Sequence, residues 1–102
     1  MEQERKRTIV EKLKPLDATR ILLFGSYAHG TPKKDSDIDL LLIKKKVVSK
    51  LKDMNAARKL LREPGTIFDV LVTSEDEYAF YKDQSGSILH EINQKGVVLY
   101  EQ

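Results

Sequence analysis

The chain has 102 residues, enough for one domain with a modest core and too few for a second, substrate-recognising domain. Its 18 basic and 16 acidic residues leave a net charge of only +2, so global charge argues for neither nucleic-acid nor membrane binding. There is no cysteine, which excludes disulfides, thiolate zinc sites and thiol redox chemistry and fits a reducing cytoplasm.

The first residues, Met1 to Arg7, are charged, and no apolar run approaches the length of a membrane span or a signal-peptide core. Ile9, Val10 and Leu13 predict one side of a first helix that stops before Pro15. After a turn at Asp17-Ala18-Thr19, the apolar run Ile21 to Phe24 predicts a strand, which ends at Gly25-Ser26. Gly30 to Ser36 reads as a polar loop carrying Lys33 and Lys34, and Ile38 to Ile43 as a second strand. Ser49 is placed to cap a helix whose apolar stripe would be Leu51, Met54, Ala57 and Leu61, ended by Pro64-Gly65. Ile67 to Val72 predicts a third strand, and Ser74-x-x-Glu77 is a capping-box pattern opening a helix with Tyr78, Phe80 and Tyr81. Beyond Gln84 to Ser87, a helix with Ile88, Leu89 and Ile92 would end at Gly96, before a last strand from Val97 to Tyr100. Strands separated by helices predict an α/β (α+β) domain over residues 1–102, with a mixed sheet and helices packed mainly on one face.

The chemistry lies in one spacing. Gly25-Ser26 is followed, after ten intervening residues, by Asp37-Ile38-Asp39. In a strand, side chains at i and i+2 share a face, so Asp37 and Asp39 project together while Ile38 points into the core. Two such carboxylates repel unless a cation joins them. An all-oxygen set at this spacing suits magnesium, which takes one or two carboxylates, waters and the phosphates of a substrate. Gly25 lets the backbone approach a ligand closely, and the amides of a turn opening a short helix, with the Ser26 hydroxyl, would receive a polyphosphate. Asp69 is the odd residue in an apolar strand and needs a partner, because an unpaired buried charge is very costly. Joining the metal site would provide one.

Taken together, Gly25-Ser26-Tyr27-Ala28-His29-Gly30, Ser36-Asp37-Ile38-Asp39-Leu40 and the later strand acid Asp69 resemble the minimal nucleotidyltransferases of the DNA polymerase beta superfamily. The ending, Ile92 to Glu101, also looks like the helix, glycine and final strand of its small bacterial and archaeal members. The resemblance implies the polymerase-beta-like nucleotidyltransferase fold and two magnesium ions, ~3.5–4 Å apart, held by Asp37, Asp39 and Asp69 as metal-binding and catalytic residues. Gly25 and Ser26 would hold the β- and γ-phosphates. His29, placed with them among the nucleotide-binding residues, stands where the family usually has an arginine, which could hold phosphate bidentately as a mostly neutral histidine does less well.

Stand-alone domains of this kind resemble the antitoxin half of toxin–antitoxin pairs whose toxin is a helical RNase of the higher-eukaryote-and-prokaryote nucleotide-binding (HEPN) class. The implied reaction is transfer of AMP from ATP to a tyrosine of that toxin, within a homo- or hetero-oligomer. Two other readings keep their place: a non-catalytic module that neutralises its partner by occlusion, and a transferase acting on a small molecule such as an aminoglycoside. Lys44-Lys45-Lys46 reads as a solvated strand end rather than a nucleic-acid site, and His90 as structural or exposed.

Overall fold

The computed structural model describes residues 1–30 and 37–102, so the loop reading of residues 31–36, with Lys33 and Lys34, lies outside the described residues. Helix α1 (Gln3–Leu13) ends where Pro15 enters a 3-10 turn, and Asp17, at a φ of 52°, turns the chain into strand β1 (Arg20–Phe24). Strand β2 (Ile38–Lys44) leads through helix α2 (Lys50–Leu61) to strand β3 (Phe68–Ser74). Short helix α3 (Glu75–Tyr81), helix α4 (Ile88–Lys95) and strand β4 (Val97–Glu101) complete the fold.

The sheet order is β3-β2-β1-β4. β1 runs antiparallel to β2 and β4, whereas β2 and β3 are parallel, as the α2 crossover between them requires. The sheet is therefore mixed, as expected from the alternation of strands and helices.

The larger core lies on one face. Ile9 and Leu13 of α1 and Ala57 and Leu61 of α2 pack there against Ile21, Leu23, Ile38, Leu40, Leu42, Val70 and Val72. This is the face on which the sequence puts most of the helix packing. The opposite face is covered as well: Tyr78 of α3 and Leu89 and Ile92 of α4 lie over Leu22, Leu41 and Ile43. That second layer explains the unbroken apolar run of β2, because a central strand buried on both faces needs no polar alternation. The Tyr78 hydroxyl donates to Asn93 Oδ1 at 2.8 Å, tying α3 to α4, and the Arg20 guanidinium lies 4.7 Å from the Tyr78 ring centre.

Three serines start helices by accepting a backbone N–H: Ser49 from Lys52, Ser74 from Glu77 and Ser87 from Leu89. The capping box at Ser74 is half formed. Glu77 turns its side chain to the Thr73 hydroxyl and to Lys50 instead of back to Ser74. The stripe predicted for α2 needs correction at its first member, since Leu51 is 67% exposed while Ala57 and Leu61 are buried. Leu51 falls in the opening turn, before the helix reaches the sheet.

Candidate active site

β1 carries the chain to Gly25 with Phe24 paired opposite Asp39 of β2. Gly25 has a φ of +70°, and a Cβ built on it would stand 2.2 Å from Asp39 Oδ2. Only glycine fits both the left-handed conformation and the contact, so the turn's backbone lies directly against that carboxylate. The turn expected at Gly25-Ser26 is present, and the helix it opens is a single 3-10 turn, Gly25–Tyr27, with the Ala28 and His29 amides donating to the Gly25 carbonyl. A helix so short has no useful macrodipole, so from the turn itself an anion would meet only its amides and the Ser26 hydroxyl.

Asp37 is exposed and immediately precedes β2, while Ile38 is buried in the larger core and its amide donates to the Ile67 carbonyl at 2.9 Å. Asp39 is half-buried at the second position of the strand. The parallel register sets Asp39 opposite Asp69 and Leu41 opposite Leu71. Neighbouring strands lie ~4.8 Å apart, so Asp39 and Asp69 stand side by side on the face covered further along by α3 and α4. Burial first, then the charges of Asp69 and Asp37, push the Asp39 carboxyl above its ordinary value. The fold thus brings the charge of Asp69, distant in sequence, to act on Asp39 alongside that of neighbouring Asp37.

Asp69 does not need rescue from burial. Its side chain is 52% exposed at the rim of edge strand β3, and its Oδ1 lies 3.8 Å from Arg58 Nη2 on α2. The alternation of the strand, not a buried charge, is what sets it apart from Phe68 and Val70.

Among the described residues, no three acidic or histidine side chains stand close enough, as they lie, to hold a metal ion by themselves. The donor chemistry nevertheless suits a hard divalent cation. All three groups offer carboxylate oxygens, and a cation between them would offset the repulsion that adds to burial in raising Asp39.

Beside the turn lies a cleft of about 240 Å³, lined by Phe24, Gly25, His29, Ile88, Glu91 and Lys95 among others. His29 is exposed at its edge. Lys95, in the last turn of α4, faces the same cleft and brings a cation to the glycine turn that sequence reasoning missed, because a lysine before a terminal glycine looks like an ordinary helix end. Arg58 was missed for a similar reason: it sits among other charged residues of α2, and only the fold brings it to Asp69. Lys44 is held by Asp53 at 3.2 Å and largely covered, so of the run read as a solvated strand end only Lys45 and Lys46 are exposed. His90 lies 3.3 Å from Gln94, one turn along the same helix.

Comparison with known proteins converges on one family. The family model described as "Polymerase beta, Nucleotidyltransferase" matches residues 7–102. A Methanocaldococcus jannaschii protein, named as a candidate protein adenylyltransferase, is 35% identical over 81 residues, covering 79% of this chain and 77% of its own. Among solved structures, a candidate nucleotidyltransferase from Sulfolobus solfataricus superposes with a TM-score of 0.64 at 22% identity, over 98% of this chain and 84% of that one. A toxin–antitoxin structure with AMP-PNP gives a TM-score of 0.62 at 19% identity, over 95% of this chain and 73% of that one. At such identities the structural likeness is one of fold.

Proposed function

The chain belongs to the polymerase beta nucleotidyltransferase family, and on that premise we propose that it moves AMP from ATP to a hydroxyl of a partner protein. The observation that carries this reading is the register of β2 and β3, which sets Asp39 beside Asp69 with the Gly25 turn against the Asp39 carboxylate. Asp37, Asp39 and Asp69 would hold magnesium, which when bound neutralises phosphate charge and makes the acceptor hydroxyl easier to deprotonate. Gly25 and Ser26 receive the β- and γ-phosphates through the turn's amides and the serine hydroxyl. Lys95, which lines the same cleft as His29, supplies the cation that an arginine usually supplies near this turn.

Asp69, exposed at the sheet's edge, faces the incoming acceptor. The acceptor oxygen forms a bond to the α-phosphorus as its proton leaves towards Asp69. The bond from the α-phosphorus to the bridging oxygen breaks, and the electron pair departs with pyrophosphate. Positioning and charge, with no covalent enzyme intermediate, supply the rate.

A protein acceptor is supported by the name of the M. jannaschii relative. A HEPN RNase toxin, modified on a tyrosine, is the partner favoured by the sequence resemblance and by the fold shared with a toxin–antitoxin structure. Placement in the cytoplasm belongs to the same proposal; no described helix is long and apolar enough to cross a membrane.

The test is to incubate the protein with magnesium, α-labelled ATP and the product of the neighbouring gene. Label on the partner that disappears with Asp37→Asn and Asp69→Asn supports the reading. An unlabelled partner that is still inhibited by Asp37→Asn identifies an occluding module instead. Label on an aminoglycoside with no protein partner present identifies a small-molecule transferase.

A further inference from the structure

The face that carries the acids continues past them as an apolar groove. Leu41 and Leu71 follow Asp39 and Asp69 by two residues on the same face, ~7 Å along the strands. They floor a groove of about 340 Å³ walled by Met54, Tyr81, Ile88 and Leu89. Tyr81 and Ile88 are 41% and 51% exposed, and Phe80, stacked edge-on against Tyr81, is 62% exposed. Near Thr73 the lining includes the ion pair of Lys50 with Glu77, at 2.6 Å. Ile88 also lines the Gly25 cleft, so the two hollows share a wall, one towards β1 and the other towards β3.

We propose that this groove docks the acceptor polypeptide, taking a large apolar side chain one or two residues from the acceptor hydroxyl. The proposal rests on the transferase reading for its direction. In-line displacement puts the attacking oxygen opposite the leaving pyrophosphate. With the phosphates at the Gly25 turn on the β1 side, the hydroxyl enters from the β3 side, past Asp69. An extended chain spans ~7 Å in two residues, so a neighbour of the acceptor residue reaches Leu71. The lining also selects by chemistry: apolar walls favour a leucine or phenylalanine side chain and oppose a polycationic sugar, whose polar groups would lose water without partners.

The test uses two fluorescent peptides that differ only two positions from a central tyrosine, Leu in one and Lys in the other. Each is titrated with the protein by anisotropy, with magnesium and a non-hydrolysable ATP analogue present. The Leu peptide should bind at least about tenfold more tightly, the worth of one buried apolar side chain. Leu71→Asp and Tyr81→Glu, each checked for folding by circular dichroism, should erase the difference. Equal affinity, failure of both peptides to bind at ~1 mM, or a difference that survives both substitutions overturns the proposal. Replacing the analogue with labelled ATP separates the two readings. A peptide that binds in the groove and takes no label counts against transfer and leaves docking in place. A peptide labelled without preference counts against docking alone.

Discussion

Gly25 offers a way to separate backbone strain from damage to the acids. Gly25→Ala forces alanine into a φ of +70° and drives its Cβ to 2.2 Å from Asp39 Oδ2. Gly65 provides the control, because its φ is +75° and nothing lies within 4 Å of a Cβ built there. The left-handed conformation costs a non-glycine residue ~1–2 kcal/mol, so both substitutions should lower the melting temperature by roughly 5–10 °C. Only at Gly25 must the Asp39 carboxylate move, by ~1 Å to reach an ordinary carbon–oxygen contact, and a misplacement of that size in a group with the proposed catalytic role costs about 100-fold in rate. Calorimetry gives the first number and release of pyrophosphate from labelled ATP, with the partner present, gives the second. Gly25→Ala should lose about 100-fold in activity and Gly65→Ala no more than about twofold. Equal activity losses at similar melting temperatures would refute the reasoning, since strain alone would then account for everything.

Five further substitutions test other parts of the structure. Asp39→Asn should be at least as stable as the parent near neutral pH while losing at least ~100-fold in activity. Its carboxyl is raised in the folded state, so the fold disfavours the charged form, a penalty that appears as pH rises through the unfolded value towards the folded one. Glu63 has the opposite sign: hydrogen bonds from Arg5 and Thr66 lower it to about 2. Its stabilisation is present above the unfolded value of 4.5 and lost as pH falls towards about 2, so urea midpoints of the parent and Glu63→Gln should converge over that window. Because the ion pair is partly exposed, the difference near neutral pH should be of order 1 kcal/mol. Lys95→Ala should raise the KM for ATP by several-fold, roughly the ~1 kcal/mol expected of one exposed phosphate contact, while leaving the melting temperature within about 2 °C. Leu61→Ala, at the fully buried end of the α2 stripe, should cost ~2–5 kcal/mol by thermal unfolding, and Leu51→Ala, 67% exposed, less than ~0.5 kcal/mol.

Much of the fold was legible because local signals are strong where they coincide. Pro15 marks the end of α1, Ser49 and Ser74 start helices, and the alternation of apolar runs with helical stripes yields a mixed sheet. What was not legible is depth. Leu51 and Ile88 satisfy a helical stripe as well as Leu61 and Ile92 do, yet each stands in the first turn of its helix, where the chain still faces solvent. Tyr78 is buried and Phe80 exposed two residues later, a difference set by which side of a short helix meets the sheet. A window of sequence counts apolar residues; it does not say how far each turn lies from the partner layer.

The candidate site divides in the same way. The pairing of Asp37 with Asp39 is written in a two-residue spacing, and Gly25 in the need for a backbone with no Cβ at the end of a strand. Asp69 is different, because its place beside Asp39 depends on the parallel register of β2 and β3, which the α2 crossover imposes and no local pattern encodes. The register sets Asp69 beside Asp39, whereas rescue from burial, the ground on which the sequence joins it to the other acids, does not apply to a half-exposed residue. This exposure has a functional consequence. A fully enclosed third carboxylate would be reached only by a small acceptor, whereas one at the rim of an edge strand leaves room for a polypeptide to bring its hydroxyl alongside. Under the proposed transfer to a protein, the exposed rim at Asp69 is where a macromolecular acceptor would enter.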